Sequence, residues 1–177
     1  GAQFEGWNGD SAITVVIPDA SRPELVAERA RLSEVTRGSL WAGIARLATA
    51  SHLGEVGAAI QAHIEAQGPY GILRDYVGHG IGRRMHEPPT VFNYATGERG
   101  ADVRPGLVVA IEPMVVTGDQ ATFVEDDDWT VTTVDGGSGS HWEHSVAVHD
   151  GGIWVLTAVD GGAEGLAPFG VVPVPIP

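Results

Sequence analysis

The sequence has no cysteine and no lysine. Without cysteine there are no disulfides and no thiolate chemistry, so any transition metal must be held by His, Asp or Glu. All ten basic residues are arginine, which reads as compositional bias rather than mechanism. Long hydrophobic runs are also missing. Every apolar stretch is broken by Gly, Pro or charge well short of the roughly 20 residues that span a bilayer, so no membrane segment is expected. Positive charge is scarce: 10 basic residues face 23 acidic ones, a net charge of −13. That balance argues against direct nucleic-acid binding, which needs a basic face against phosphates. It suits a chain that attracts cations. The opening Gly1-Ala2-Gln3-Phe4-Glu5 lacks the basic segment and apolar core of a signal peptide. What is present is 177 residues, 43% hydrophobic and 19% charged, enough for one globular domain with a real core.

Along the chain, residues 6–17 read as a tight turn running into a strand, with Asn8-Gly9 as the hairpin signal. A hairpin there needs an earlier partner strand, and only five residues precede Gly6. The chain is therefore expected to begin inside a structural unit. From Pro23 to about Ala48 the pattern is helical, with Leu32, Val35, Leu40, Trp41, Ile44 and Leu47 near one face. A second helix is expected from about Leu53 to Ala66, its stripe formed by Leu53, Val56, Ile60 and Ile64 and its end set by Gly68-Pro69. Beyond Pro69 the pattern changes to strands at 70–77, 106–116, 129–134, 142–149 and 153–157. From Asp160 onward, paired glycines and three prolines in the last five residues predict an extended tail.

Four features carry potential chemistry. Gly78-His79-Gly80-Ile81-Gly82 places an imidazole among glycines that let the backbone bend, and His86-Glu87-Pro88-Pro89 follows. Glu112 interrupts the apolar run that ends at Ile111, and Glu143 opens the run that continues through Val146. A charge in such a place is unfavourable unless it is paired or metal-bound. Asp10 lies just past the Asn8-Gly9 turn. Each has a plainer reading taken alone. The glutamates could be solvated strand ends, His79 a turn residue, His86 a surface group and Asp10 an ordinary turn aspartate. Together, one His and several carboxylates fit hard or borderline divalent ions, and two such ions are a standard hydrolytic device. The acidic run 125–128 lacks the alternating ligand spacing of an EF-hand and reads as a solvated hairpin approach.

In order, Gly78-His79-Gly80-Ile81-Gly82-Arg83 with His86-Glu87, Ile111-Glu112-Pro113-Met114-Val115, Asp128-Trp129-Thr130-Val131 and Glu143-His144-Ser145 resemble the signature segments of type I methionine aminopeptidases. The separations agree as well, 33 residues from His79 to Glu112 and 31 from there to Glu143. The resemblance covers about residues 6–158. It implies an α+β, pita-bread fold: a curved antiparallel sheet with helices on its outer face, built as two halves related by a pseudo-two-fold. The expected domain covers 1–160, incomplete at its N-terminus, with the extended tail at 161–177.

The resemblance further implies two divalent metal ions (Co, Mn, Fe or Zn), with Asp10 and Glu143 bridging them and His79 and Glu112 completing the shell of one. Glu112 would handle protons during attack on the scissile bond. His86 would donate a hydrogen bond to the substrate, and Met85 and Trp129 would wall the pocket for a methionine side chain. Many members of the family carry an aromatic residue where this chain has Met85. The implied activity is removal of the N-terminal methionine from nascent proteins and peptides, in the cytoplasm and in possible association with ribosomes. An upstream metal-binding aspartate and an upstream histidine of the family would precede Gly1, supplied by the same or another chain. The 177 residues alone are accordingly expected to be weak or inactive. Two alternatives remain at this point: an Xaa-Pro aminopeptidase or prolidase-like peptidase, which shares the metal set, and a non-catalytic binding protein on the same scaffold.

Overall fold

The computed structural model describes residues 1–177. In chain order the elements are β1 (Ala2–Phe4), β2 (Trp7–Gly9), β3 (Ser11–Ala12), α1 (Pro23–Leu47), α2 (Gly54–Gln67), β4 (Gly71–Ile72), β5 (Gly78–Gly80) and β6 (Glu87–Val91). Then come β7 (Val108–Ile111), β8 (Met114–Val116), β9 (Thr122–Val124), β10 (Val131–Thr133), β11 (Gly139–His141), β12 (Glu143–His149), β13 (Gly152–Val155) and α3 (Ala163–Leu166), with a 3-10 turn at Ala167–Phe169.

The two long helices follow directly from their apolar spacing. Pro23 stands at the start of α1, where its missing N–H is no loss. Leu32, Val35, Leu40, Ile44 and Leu47 are buried against Val56, Ile60 and Ile64 of α2 and against the sheet. Each fully buried Leu or Ile contributes roughly 1.5–3 kcal/mol. Neither helix is long and apolar enough to cross a membrane.

The main sheet is antiparallel, in the order β13-β12-β7-β5-β6, and β3 pairs with the start of β12. Alternation decides which side chains face which way. Val109, Ile111, Val146 and Val148 face the helices and join the core. His79 sits across from Ala110, and Ala110 across from Ser145. Those residues, together with Glu112 two places after Ala110 and Glu143 two places before Ser145, therefore share the opposite face. A smaller sheet, β11-β8-β4, and the β9-β10 hairpin border it.

Three expectations need correction. The hairpin turn is at Glu5-Gly6, whose φ angles of 48° and 76° suit the tight two-residue turn. Asn8 and Gly9 lie in β2, paired with Gln3 and Ala2, so the partner strand is Ala2–Phe4. Asn8 uses both its backbone N–H and its side-chain N–H to bond the Gly82 carbonyl, at 2.9 and 3.0 Å. The strand expected over 6–17 stops at Ala12, and Ile13, Val15 and Ile17 are exposed. The stretch from Asp160, expected to be extended, first turns through α3 and the 3-10 segment and buries Leu166 completely. Only the final residues are extended, and the Val174 N–H donates to Ile153 O at 3.0 Å. The local Pro and Gly content was outweighed by an apolar side chain with a core to enter.

Candidate metal centre

The centre begins with backbone constraints. Glycines flank His79 because β5 lies tightly between its neighbours. A Cβ at position 78 would come 2.3 Å from Ala110 O, and one at position 80 would come 2.2 Å from Pro88 O. Close approach rather than bending is the reason for glycine, since neither residue has a positive φ. The β5-β6 register also shifts here: His79 pairs with Thr90 but Gly80 pairs with Glu87, leaving Pro88-Pro89 as the irregular stretch. A proline has no N–H to leave unpaired there. The resulting bulge aims the imidazole along the site face.

Asp10 is held by Ser145. Its backbone N–H donates to Ser145 Oγ at 3.1 Å, and that hydroxyl donates back to Asp10 O at 2.8 Å. Glu112 leaves the end of β7, where the Asn93 side-chain amide donates to Glu112 O at 3.2 Å. The His79 Nδ1–H donates to Gly80 O at 3.0 Å, which directs Nε2 toward Glu112 Oε1 at 3.2 Å.

These pieces meet in two sets of donors. Ligand atoms of Asp10, His79 and Glu143 all lie within 4.8 Å of one another, and so do those of Glu112, His141 and Glu143. Glu143 belongs to both. It is only 4% exposed, and its Oε1 has no hydrogen-bond partner. A buried carboxylate oxygen without a donor is unfavourable unless a cation meets it. Burial first, then the charges of Glu143 and Asp10, push the Glu112 carboxyl up to about 8. Burial and the Asp10 charge push Glu143 up to about 7. Carboxylates crowded to this degree, with two imidazoles and no thiolate, fit a pair of hard or borderline divalent ions.

All four expected ligand residues, Asp10, His79, Glu112 and Glu143, come together. His86 is exposed beside them, its ring edge-on to His79 with centroids 4.4 Å apart. Met85 lies against Gly1, close enough that a Cβ there would meet its thioether. Trp129 stands apart: it is 87% exposed in the loop before β10, where its N–H is bonded to Asp127. A cavity of about 560 Å³ opens beside His141, and its apolar lining comes from Leu73, Tyr76, Met114, Val116 and Val131 rather than from Met85 or Trp129.

Sequence reasoning missed His141. Its Nε2 is buried, lacks a hydrogen-bond partner and stands 3.7 Å from Glu112 Oε2. His141 closes β11 and Glu143 opens β12, and only the pairing of those strands brings the two side chains to one place. The intervening Trp142 turns the other way, donating its indole N–H to Ser33 Oγ at 3.0 Å. Ser145, Asn93 and Thr14 were also missed, as their roles depend on contacts distant in sequence.

The comparisons with known proteins agree with this geometry. The methionine aminopeptidase 1 of Mycobacterium tuberculosis is 45% identical over 162 residues, covering 89% of this chain and 59% of that protein. The methionine aminopeptidase of Clostridium acetobutylicum is 41% identical over 157 residues, with 89% and 60% covered. A crystal structure of the methionine aminopeptidase from Rickettsia prowazekii superimposes with a TM-score of 0.79 at 33% identity, covering 88% of this chain and 60% of that one. The architecture is thus the pita-bread fold, and the chain spans about three fifths of the length of these relatives. A sequence profile described as metallopeptidase family M24 matches residues 1–150. A shared sheet, a matching profile and paired acid-imidazole donor sets lead to one assignment: the chain belongs to metallopeptidase family M24.

Proposed function

We propose that the protein to which this chain belongs is a metal-dependent aminopeptidase that removes N-terminal methionine from newly made proteins and peptides in the cytoplasm. The observation that carries the reading is the convergence of two donor sets on the buried Glu143. The names of the relatives supply the substrate class. Asp10, His79, Glu112 and Glu143 are the residues that would hold two divalent ions. Such ions polarise a carbonyl and supply hydroxide from water near neutral pH.

The chain's own groups do the rest. Ser145 fixes Asp10, and Asn93 fixes the Glu112 backbone. The Glu112 carboxyl would hold or pass a proton at an oxygen left free as the peptide bond breaks. His86 donates an N–H to the substrate amide and stabilises charge that develops there. The cavity lined by Leu73, Tyr76 and Met114 is largely apolar and roomy enough for a methionine side chain, and the polarizable Met114 thioether suits it. Met85 stands at the edge of the site, since its thioether and the Asp10 carboxylate approach the same residue, Gly1, whereas Trp129 would contribute only by moving toward the substrate.

The test is a peptide panel on the full-length protein loaded with Co²⁺ or Mn²⁺. Release of methionine from Met-Ala-Ser without cleavage of Xaa-Pro peptides is the expected result. Cleavage of Xaa-Pro peptides alone, or of nothing, would overturn the reading.

A further inference from the structure

We propose that His141 Nε2 is a metal ligand, giving the second donor set an imidazole nitrogen of its own. The inference rests on the metallopeptidase reading above and extends it to a residue that reading did not need. Four observations carry it. Nε2 is buried and has no hydrogen-bond partner, although a ring nitrogen of either protonation state needs one. It is aimed at the Glu112 carboxylate, and its 3.7 Å from Oε2 is too long for a hydrogen bond. Two atoms bound to one ion at about 2.1 Å each can stand at most about 4.2 Å apart, so this separation suits a shared cation. The third donor, Glu143, is itself more than nine-tenths buried and brings an unpartnered Oε1 to the same place.

The backbone around His141 is fixed from both sides. Its N–H donates to Thr14 Oγ1 at 2.9 Å, and that hydroxyl donates to His141 O at 2.8 Å. Pairing with Met114 in β8 settles the register. His141 would then add an imidazole nitrogen to the carboxylates of Glu112 and Glu143. Imidazole favours Co²⁺, Zn²⁺ and Fe²⁺ over harder ions, so a site that includes His141 would be more selective than carboxylates alone would make it.

The test titrates the full-length protein and its H141Q variant with Co²⁺, followed by calorimetry and by visible absorption. The unaltered protein should bind Co²⁺. H141Q should bind at least one equivalent about tenfold more weakly and show changed d–d bands. Unchanged stoichiometry, affinities and spectrum in H141Q would overturn the inference while leaving the metallopeptidase reading intact. No uptake by the unaltered full-length protein would overturn both. Should H141Q fail to fold, Zn²⁺ titration of the ¹⁵N-labelled unaltered protein decides: a metal-induced shift of the His141 Nε2 resonance supports the inference, and an unmoved His141 resonance refutes it.

Discussion

Glu143 is the side chain common to both donor sets, and its loss should be felt throughout the site. Glu143→Ala in the full-length protein is expected to weaken Co²⁺ binding by more than the roughly 10–100-fold that loss of an outer hydrogen-bond partner brings. Calorimetry measures the change. His86 lies outside both sets. His86→Ala in the full-length protein should therefore leave metal affinity unchanged while lowering kcat about 10²–10³-fold, which steady-state kinetics would detect. The legibility of the site divides along the same line. Asp10, His79, Glu112 and Glu143 could be read because each breaks an apolar or glycine-rich pattern. His141 could not, since a histidine after Gly-Ser-Gly-Ser looks like loop until its strand pairing is known. Trp129 was expected at the pocket, yet a side chain in an Asp-rich turn has no contact in sequence to say which way it points.

Among the elements, β5 is where local sequence and tertiary packing bind most tightly. Gly80→Ala should destabilise the chain by about 1–3 kcal/mol, because the new Cβ meets a backbone carbonyl that cannot rotate away. The same change should weaken metal binding by displacing His79. A thermal midpoint and a Co²⁺ affinity both equal to those of the unaltered chain would refute this.

Helix α2 offers a pH signature. Glu55 accepts a hydrogen bond from the Ser51 N–H at 2.9 Å and contacts His52 and Arg46. These bonds, Ser51's first, hold its carboxyl down at about 2, below the ordinary 4.5. A depressed carboxylate stabilises the fold fully above its unfolded value and loses that contribution as pH falls toward the folded one. Stability measured by denaturant should therefore decline from about pH 4.5 toward pH 2, and Glu55→Gln should flatten that segment of the curve. Both helices were legible because 25 and 14 residues give an amphipathic period several turns to repeat. Strands of two or three residues give it none, so the bounds of β2, β3 and β4 follow from their partners rather than from their composition.

For the molecule as a whole, a net charge of −13 and a face crowded with acids make divalent cations a structural as well as a chemical resource. Cations that bind only the folded state should raise the melting temperature. A site held at one hundred times its Kd adds about 2.7 kcal/mol, and EDTA should reverse the gain. An equal rise with NaCl at matched ionic strength would point instead to general screening.

The bond between Asp10 and Ser145 joins positions 135 residues apart. Translation delivers the first of them 135 residues before the second. Every shorter nascent intermediate thus carries half a cation trap, its acids still free to scatter. Loading falls to the finished polypeptide, and the element it captures reflects the free pool of its surroundings at that moment as much as the chemistry of its donors.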